Sequence, residues 1–129
     1  MCKNSIKYIW IIAKDYRILF QKNFIEDMKN QELYLNFFSS IIKFSKTVTH
    51  DELENIEMKD SLVNYHFSDD FFIVLVTEKN VKIKKIKEIL LKIQSSFQNL
   101  FDGLFNSENP KIFNYFDETL ETILKNTKL

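Results

Sequence analysis

Residues 70–77 read Asp-Phe-Phe-Ile-Val-Leu-Val-Thr, apolar without a break from Phe71 to Val76. A strand with one wet face alternates; a continuous β-branched and aromatic run requires cover on both faces. The run therefore predicts an inner strand with helices on each side. Residues 6–13, Ile-Lys-Tyr-Ile-Trp-Ile-Ile-Ala, become apolar on both faces in the same way and are expected beside it. Lys14-Asp15-Tyr16-Arg17 is a short polar turn leading into residues 18–24, which completes a hairpin. In its second arm Ile18, Phe20 and Phe24 are expected on one face and Leu19, Gln21 and Asn23 on the other, the mixed pattern of an edge strand.

Asn30 is placed to cap a helix over about residues 31–47, with Glu32 in the first turn, where the helix dipole favours an anion. Tyr34, Phe37, Phe38, Ile41, Ile42, Ser45 and Val48 recur at three- and four-residue spacing and form the stripe expected to lie on the sheet. Residues 55–58 and 62–67 predict a second hairpin, in which Leu62, Asn64 and His66 alternate with Val63, Tyr65 and Phe67. Ser68-Asp69-Asp70 then turns the chain into the inner strand. Helical spacing resumes with Val81, Ile86, Ile89, Leu90, Ile93, Phe97, Leu100 and Phe101, and the helix is expected to stop at Gly103. Residues 106–111 form a loop around Pro110, and a last helix over about 112–126 carries Phe113, Phe116, Leu120 and Ile123 on one face.

The predicted order is β-β-α-β-β-β-α-α. It gives an α+β fold with a mostly antiparallel five-stranded sheet in the order 2-1-5-4-3, one helix on one face and two on the other. Crossover rules bring the first and last strands together in the middle, in agreement with their being the two most apolar.

Composition narrows function mainly by exclusion. The 129 residues fit one domain, 45% hydrophobic and 28% charged, with a formal net charge of zero. No global basic field draws the chain to nucleic acid. Cys2 is the only cysteine, so an intrachain disulfide and a cysteine-built zinc site are both excluded, and an intracellular address is expected. The apolar residues 8–13 fall far short of the ~20 needed to span a bilayer, so neither a signal peptide nor a transmembrane segment is expected. With one glycine and one proline, neither a Walker loop nor a dinucleotide fingerprint can be written.

Candidate chemistry is sparse. His50 and His66 lie in different elements without metal-ligand spacing, and the adjacent Asp69 and Asp70 read as a turn rather than an acid/base pair. Cys2 lacks an oriented base, and no nucleophile elbow surrounds any serine. No catalytic residue, metal ligand or cofactor is assigned. Lys82, Lys84, Lys85 and Lys87 form a candidate anionic-surface patch, against the simpler account of a solvated helix face. Thirteen phenylalanines exceed what a small core must contain, and Phe20, Lys22, Phe24, Tyr34, Phe37 and Phe44 are the candidate partner-binding residues along the first helix and the adjacent edge strand.

Ile9-Trp10-Ile11-Ile12-Ala13-Lys14-Asp15-Tyr16-Arg17-Ile18-Leu19-Phe20 resembles the opening hairpin of longin domains and their relatives, the roadblock group and the sigma and mu subunits of clathrin adaptors. Phe37-Phe38-Ser39-Ser40-Ile41 resembles the first helix of archaeal longin-like proteins, and Asp69-Asp70-Phe71-Phe72-Ile73-Val74-Leu75-Val76 their entry into the central strand. The resemblance runs from Ile6 to Phe101 and rests on hydrophobic patterns; Tyr16 departs from it, standing where glycine is common. It implies a non-catalytic cytoplasmic scaffold that binds or regulates a small GTPase or a trafficking protein as a homo- or heterodimer; the lysine patch adds the expectation of peripheral association at the cytosolic membrane surface. The alternative reading is a profilin-like small-ligand sensor, which requires a cavity of roughly 300 Å³ or more with convergent polar groups. An enzyme has no constellation behind it.

Overall fold

Ile6–Ala13 (β1) and Phe71–Glu78 (β5) lie side by side at the centre of a five-stranded sheet, with Ile11 opposite Ile73 and Ile12 opposite Phe72. Every residue from 71 to 77 is buried, as its unbroken apolar character demands. The computed structural model describes residues 5–24, 31–44, 55–107 and 109–127. Ile18–Asn23 (β2) pairs with β1, Ser61–Phe67 (β4) pairs with β5, and Asn55–Glu57 (β3) pairs with β4. The order is β2-β1-β5-β4-β3 and each neighbouring pair is antiparallel.

Helices cover both faces. Ile42, in α1 (Gln31–Phe44), packs with Trp10, Ile12, Val63, Phe72, Val74 and Val76. On the other face, α2 (Ile83–Phe101) and α3 (Phe116–Asn126) bury Ile89, Ile93, Phe97, Phe116 and Leu120 over Ile9, Ile11, Ile73 and Leu75. The alternation expected in β4 holds: Leu62 belongs to the α2/α3 side, Val63 and Tyr65 to the α1 side.

Three local differences have physical causes. First, the register shifts between Ile11 and Ile12, which face Phe20 and Ile18, so Leu19 is an extra residue in a β-bulge. Leu19 and Phe20 are consequently buried in the same cluster, and Ile18 and Phe20 do not share a face. Second, the segment expected to open the last helix is a 3₁₀ turn, Pro110–Tyr115; Lys111 N–H donates to the Asn109 side chain at 3.2 Å, and Pro110 needs no donor at the helix start. Third, two residues expected in apolar stripes are half exposed, Phe37 on α1 and Leu100 on α2. Phe37 lies five positions before Ile42, roughly 140° away around the helix, and so points off the sheet. Asn30 and Val48 lie outside the described residues, as does the end of the first predicted helix beyond Phe44.

Gly103 takes φ 79° just past the end of α2, the left-handed conformation its position requires. Tyr16 takes φ 69°, where a side chain strains the backbone. Its ring is held edge-on to Phe72 at 5.8 Å, with the Lys43 ammonium 4.1 Å from its centroid, so packing outweighs the strain. Tyr16→Ala removes the ring and keeps the strain, whereas Tyr16→Gly removes both. The glycine variant is expected to be about 1 kcal/mol more stable than the alanine variant in urea unfolding, and equal midpoints would contradict a left-handed residue here.

Candidate interaction surfaces

At the β2 edge, three residues expected to meet a partner are used within the chain. Phe20 is 5% exposed and packs edge-on against Phe116 at 5.3 Å. The bulge at Leu19 turns it under α3, which corrects its assignment to an exposed edge. Lys22 donates to Glu121 at 2.7 Å and to Asp117, tying β2 to α3, and its ammonium sits 5.6 Å from the centroid of the Phe24 ring. Partial burial works against the Lys22 charge, but the hydrogen bonds and attraction of the two carboxylates prevail and raise its pKa. Phe24 is partly buried against the core. On α1, Phe37 stands 52% exposed; the side chains of Tyr34 and Phe44 lie outside the described residues.

A groove of ≈ 420 Å³ opens between α2 and the β4–β3 side of the sheet. Asn64 and His66 project from β4 into its floor, Leu90 closes its inner wall, and Ile83, Lys87 and Leu91 form its lip. The floor is ordered: the Asn64 amide is 6% exposed and donates to the carbonyls of Leu75 (3.2 Å) and Leu62 (3.4 Å), while His66 Nε2 meets Gln94 Oε1 of α2. The lip is apolar and open, with Ile83 56% and Leu91 58% exposed. Neither residue belongs to the buried stripe of α2. Their eight-residue separation puts them on one flank of the helix, and that off-stripe spacing was the sequence signal for the lip. Beside it, Lys82, Lys84 and Lys87 are exposed, and Lys85 approaches Glu88 at 3.8 Å.

At the opposite end of α2, Asp15, Asp69, Asp70 and Asp102 line a second cleft of ≈ 380 Å³. Gln98 donates to Asp70 (3.3 Å) and Asp102 (3.4 Å), and the side-chain hydrogen bond from Arg17 lowers the Asp15 pKa. Arg17 also donates to the Phe105 carbonyl at 2.9 Å, anchoring the β1–β2 turn to the loop after α2. Asp69 and Asp70 are therefore turn residues whose carboxylates meet others only through folding. Among the described residues, no group of three or more His, Cys, Asp or Glu is arranged to hold a metal. Cys2 and His50 lie outside them.

No protein-family model matches the sequence, and no curated protein sequence matches it. Comparison by shape is informative. A chain in a homology model of the full-length AP-3 complex in a stretched open conformation matches with a TM-score of 0.63 at 16% identity, over 93% of this chain and 79% of that one. A chain of the mammalian SRP receptor matches with a TM-score of 0.59 at 9% identity, over 95% of this chain and 94% of that one. The fold is longin-like. In this longin-like frame the lip of the α2 groove and the exposed flank of α1 present apolar side chains outward, as do Leu100, Leu104 and Tyr115 elsewhere, whereas Phe20 and Lys22 of the β2 edge are committed to α3.

Proposed function

We propose that this chain is a non-catalytic interaction domain that binds or regulates a small GTPase or a membrane-trafficking protein and acts as a dimer. The observation that carries the reading is the groove lip, where Leu91 stands 58% exposed beside an ordered polar floor and a three-residue edge strand. Exposed apolar side chains grouped at a concavity are what a protein partner covers. The shape relatives support a docking role, one being a chain of an adaptor complex and the other of a receptor.

Purified small GTPases from the same cell, loaded with GDP or a GTP analogue, test the partner by titration calorimetry. Binding in one nucleotide state, weakened at least tenfold by Leu91→Asp, is the expected result; no binding in either state, or binding indifferent to that change, overturns it. Dimerisation is read separately by light scattering. The wild-type mass is expected to be that of a dimer and to fall to that of a monomer on Phe37→Glu, and a monomer at every concentration refutes it.

A small-ligand sensor has one observation in its favour, since the groove exceeds the roughly 300 Å³ of typical ligand sites and contains the Asn64 amide. Against it, the space between sheet and helices is filled, with Ile9, Ile11, Ile73, Leu75, Ile93 and Phe97 at or near zero exposure. A thermal-shift screen of metabolites decides between them: a hit abolished by Leu90→Trp, which fills the groove, favours the sensor.

A further inference from the structure

We propose that the N-terminal half of α2 is a membrane-docking surface that lays its lysines and Ile83 onto an anionic bilayer. The starting observation is a charge placement that the helix itself disfavours. Lys84 and Lys85 fall in the first turn of α2, Lys82 caps it and Lys87 follows, with no acidic residue in that turn. The helix dipole puts partial positive charge at the same end, so the lysines raise the energy of the isolated helix. In α3 the arrangement is the favourable one, Asp117 and Glu118 first and Lys125 last.

Nor are these charges neutralised locally. Among the described residues Lys82, Lys84 and Lys87 form no ion pair, while Lys79 and Lys85 reach Glu57 and Glu88 only at 3.8 Å. One apolar side chain, Ile83, 56% exposed, rises among them. Basic residues interleaved with exposed aliphatic ones on a helix are the composition of an interfacial membrane-binding face.

The shape of the patch favours a bilayer over a peptide. At 3.6 residues per turn, Lys87, Lys84 and Lys85 fan over roughly 160° of the helix circumference. A segment lying in the groove meets Lys87 and leaves Lys85 on the far side. A flat anionic sheet meets Ile83, Lys87 and Lys84, which span about 100° of the circumference, together with Lys82 at the cap. No described helix is long and apolar enough to cross a membrane. Docking through this face also orients the domain: α1 lies on the opposite face of the sheet, so Phe37 is directed away from the lipid and left accessible to a protein. The inference does not depend on the identity of that protein.

Co-sedimentation with vesicles of phosphatidylcholine alone, or of phosphatidylcholine and phosphatidylserine at two to one, is the test. Binding is expected only with phosphatidylserine and is expected to fall steeply with salt. Each lysine near an anionic leaflet strengthens binding about fivefold, so the triple variant Lys82→Gln/Lys84→Gln/Lys87→Gln loses about 100-fold. Because those lysines oppose the helix dipole, the variant keeps or gains thermal stability. Ile83→Asn weakens binding with the charges in place, whereas a control with Lys59, Lys111 and Lys125 changed to glutamine binds nearly as wild type. Equal binding to both vesicles, or equal loss in the control, overturns the proposal. So does capture of polyglutamate without vesicle binding, which assigns the patch to an acidic protein.

Discussion

Phe97→Ala is expected to lower the unfolding free energy by about 3–5 kcal/mol, a large part of the stability of a domain of this size. Phe97 is fully buried at the meeting point of α2, β5, the loop after α2 and the terminal helices. Its ring centroid lies 4.8 Å from that of Phe101, 5.0 Å from Phe116, 5.2 Å from Phe71 and 5.6 Å from Phe113. Truncation removes the transfer free energy of a whole ring and leaves a cavity whose aromatic walls collapse only in part. Urea unfolding should show a lower midpoint with an unchanged slope, because the surface exposed on unfolding is nearly the same. Tyr115→Ala is the internal comparison: at a site 80% exposed the loss should stay within about 0.5 kcal/mol. Equal losses at the two positions would contradict the burial pattern.

Lys22→Glu is expected to cost about 2–3 kcal/mol at neutral pH, because it removes the cation between Asp117 and Glu121 and sets a third carboxylate there. The Lys22 pKa is raised in the folded state, so its stabilisation is complete below the ordinary lysine value and is lost only as pH rises through the folded one. At neutral pH the wild type therefore has this contribution in full. The variant's deficit should narrow as pH falls through the carboxylate range, since protonation relieves repulsion in the variant and weakens the ion pairs in the wild type. Lys22→Gln, which lacks the repulsion, should lose less. Unfolding midpoints of the three proteins at pH 7 and pH 4 decide the matter, and a deficit that does not change with pH would place the role of Lys22 in packing.

The layer order could be read from a few residues. Phe71 through Val76 and Ile9 through Ala13 are apolar on both faces, and such strands are stable only inside a sheet covered twice. Two inner strands from opposite ends of the topology then leave β2 and β3 as the edges. Tyr16 was also legible as an anomaly, and the structure explains it through Phe72 and Lys43. The surfaces were not legible to the same degree. Phe20 looked like an edge aromatic because strict alternation was assumed, and the single extra residue at Leu19 undoes that assumption. Ile83 and Leu91 fall outside the apolar stripe of α2, and they become one wall of a groove only because β4 supplies the other.

What the amino-acid order settled alone was therefore the set of elements, their layering and the absence of a familiar nucleotide-binding loop, because hydrophobic periodicity is a local property, legible within a dozen residues. The tertiary structure decided which side chains are spent inside the chain and which are left to meet something else. Lys22 and Asp117 stand 95 positions apart, and no local pattern announces that an edge lysine will be claimed by the terminal helix. Burial drives apolar residues inward without specifying their partners, whereas a bulge, an ion pair or a groove exists only once particular distant residues have been brought within a few ångströms of one another.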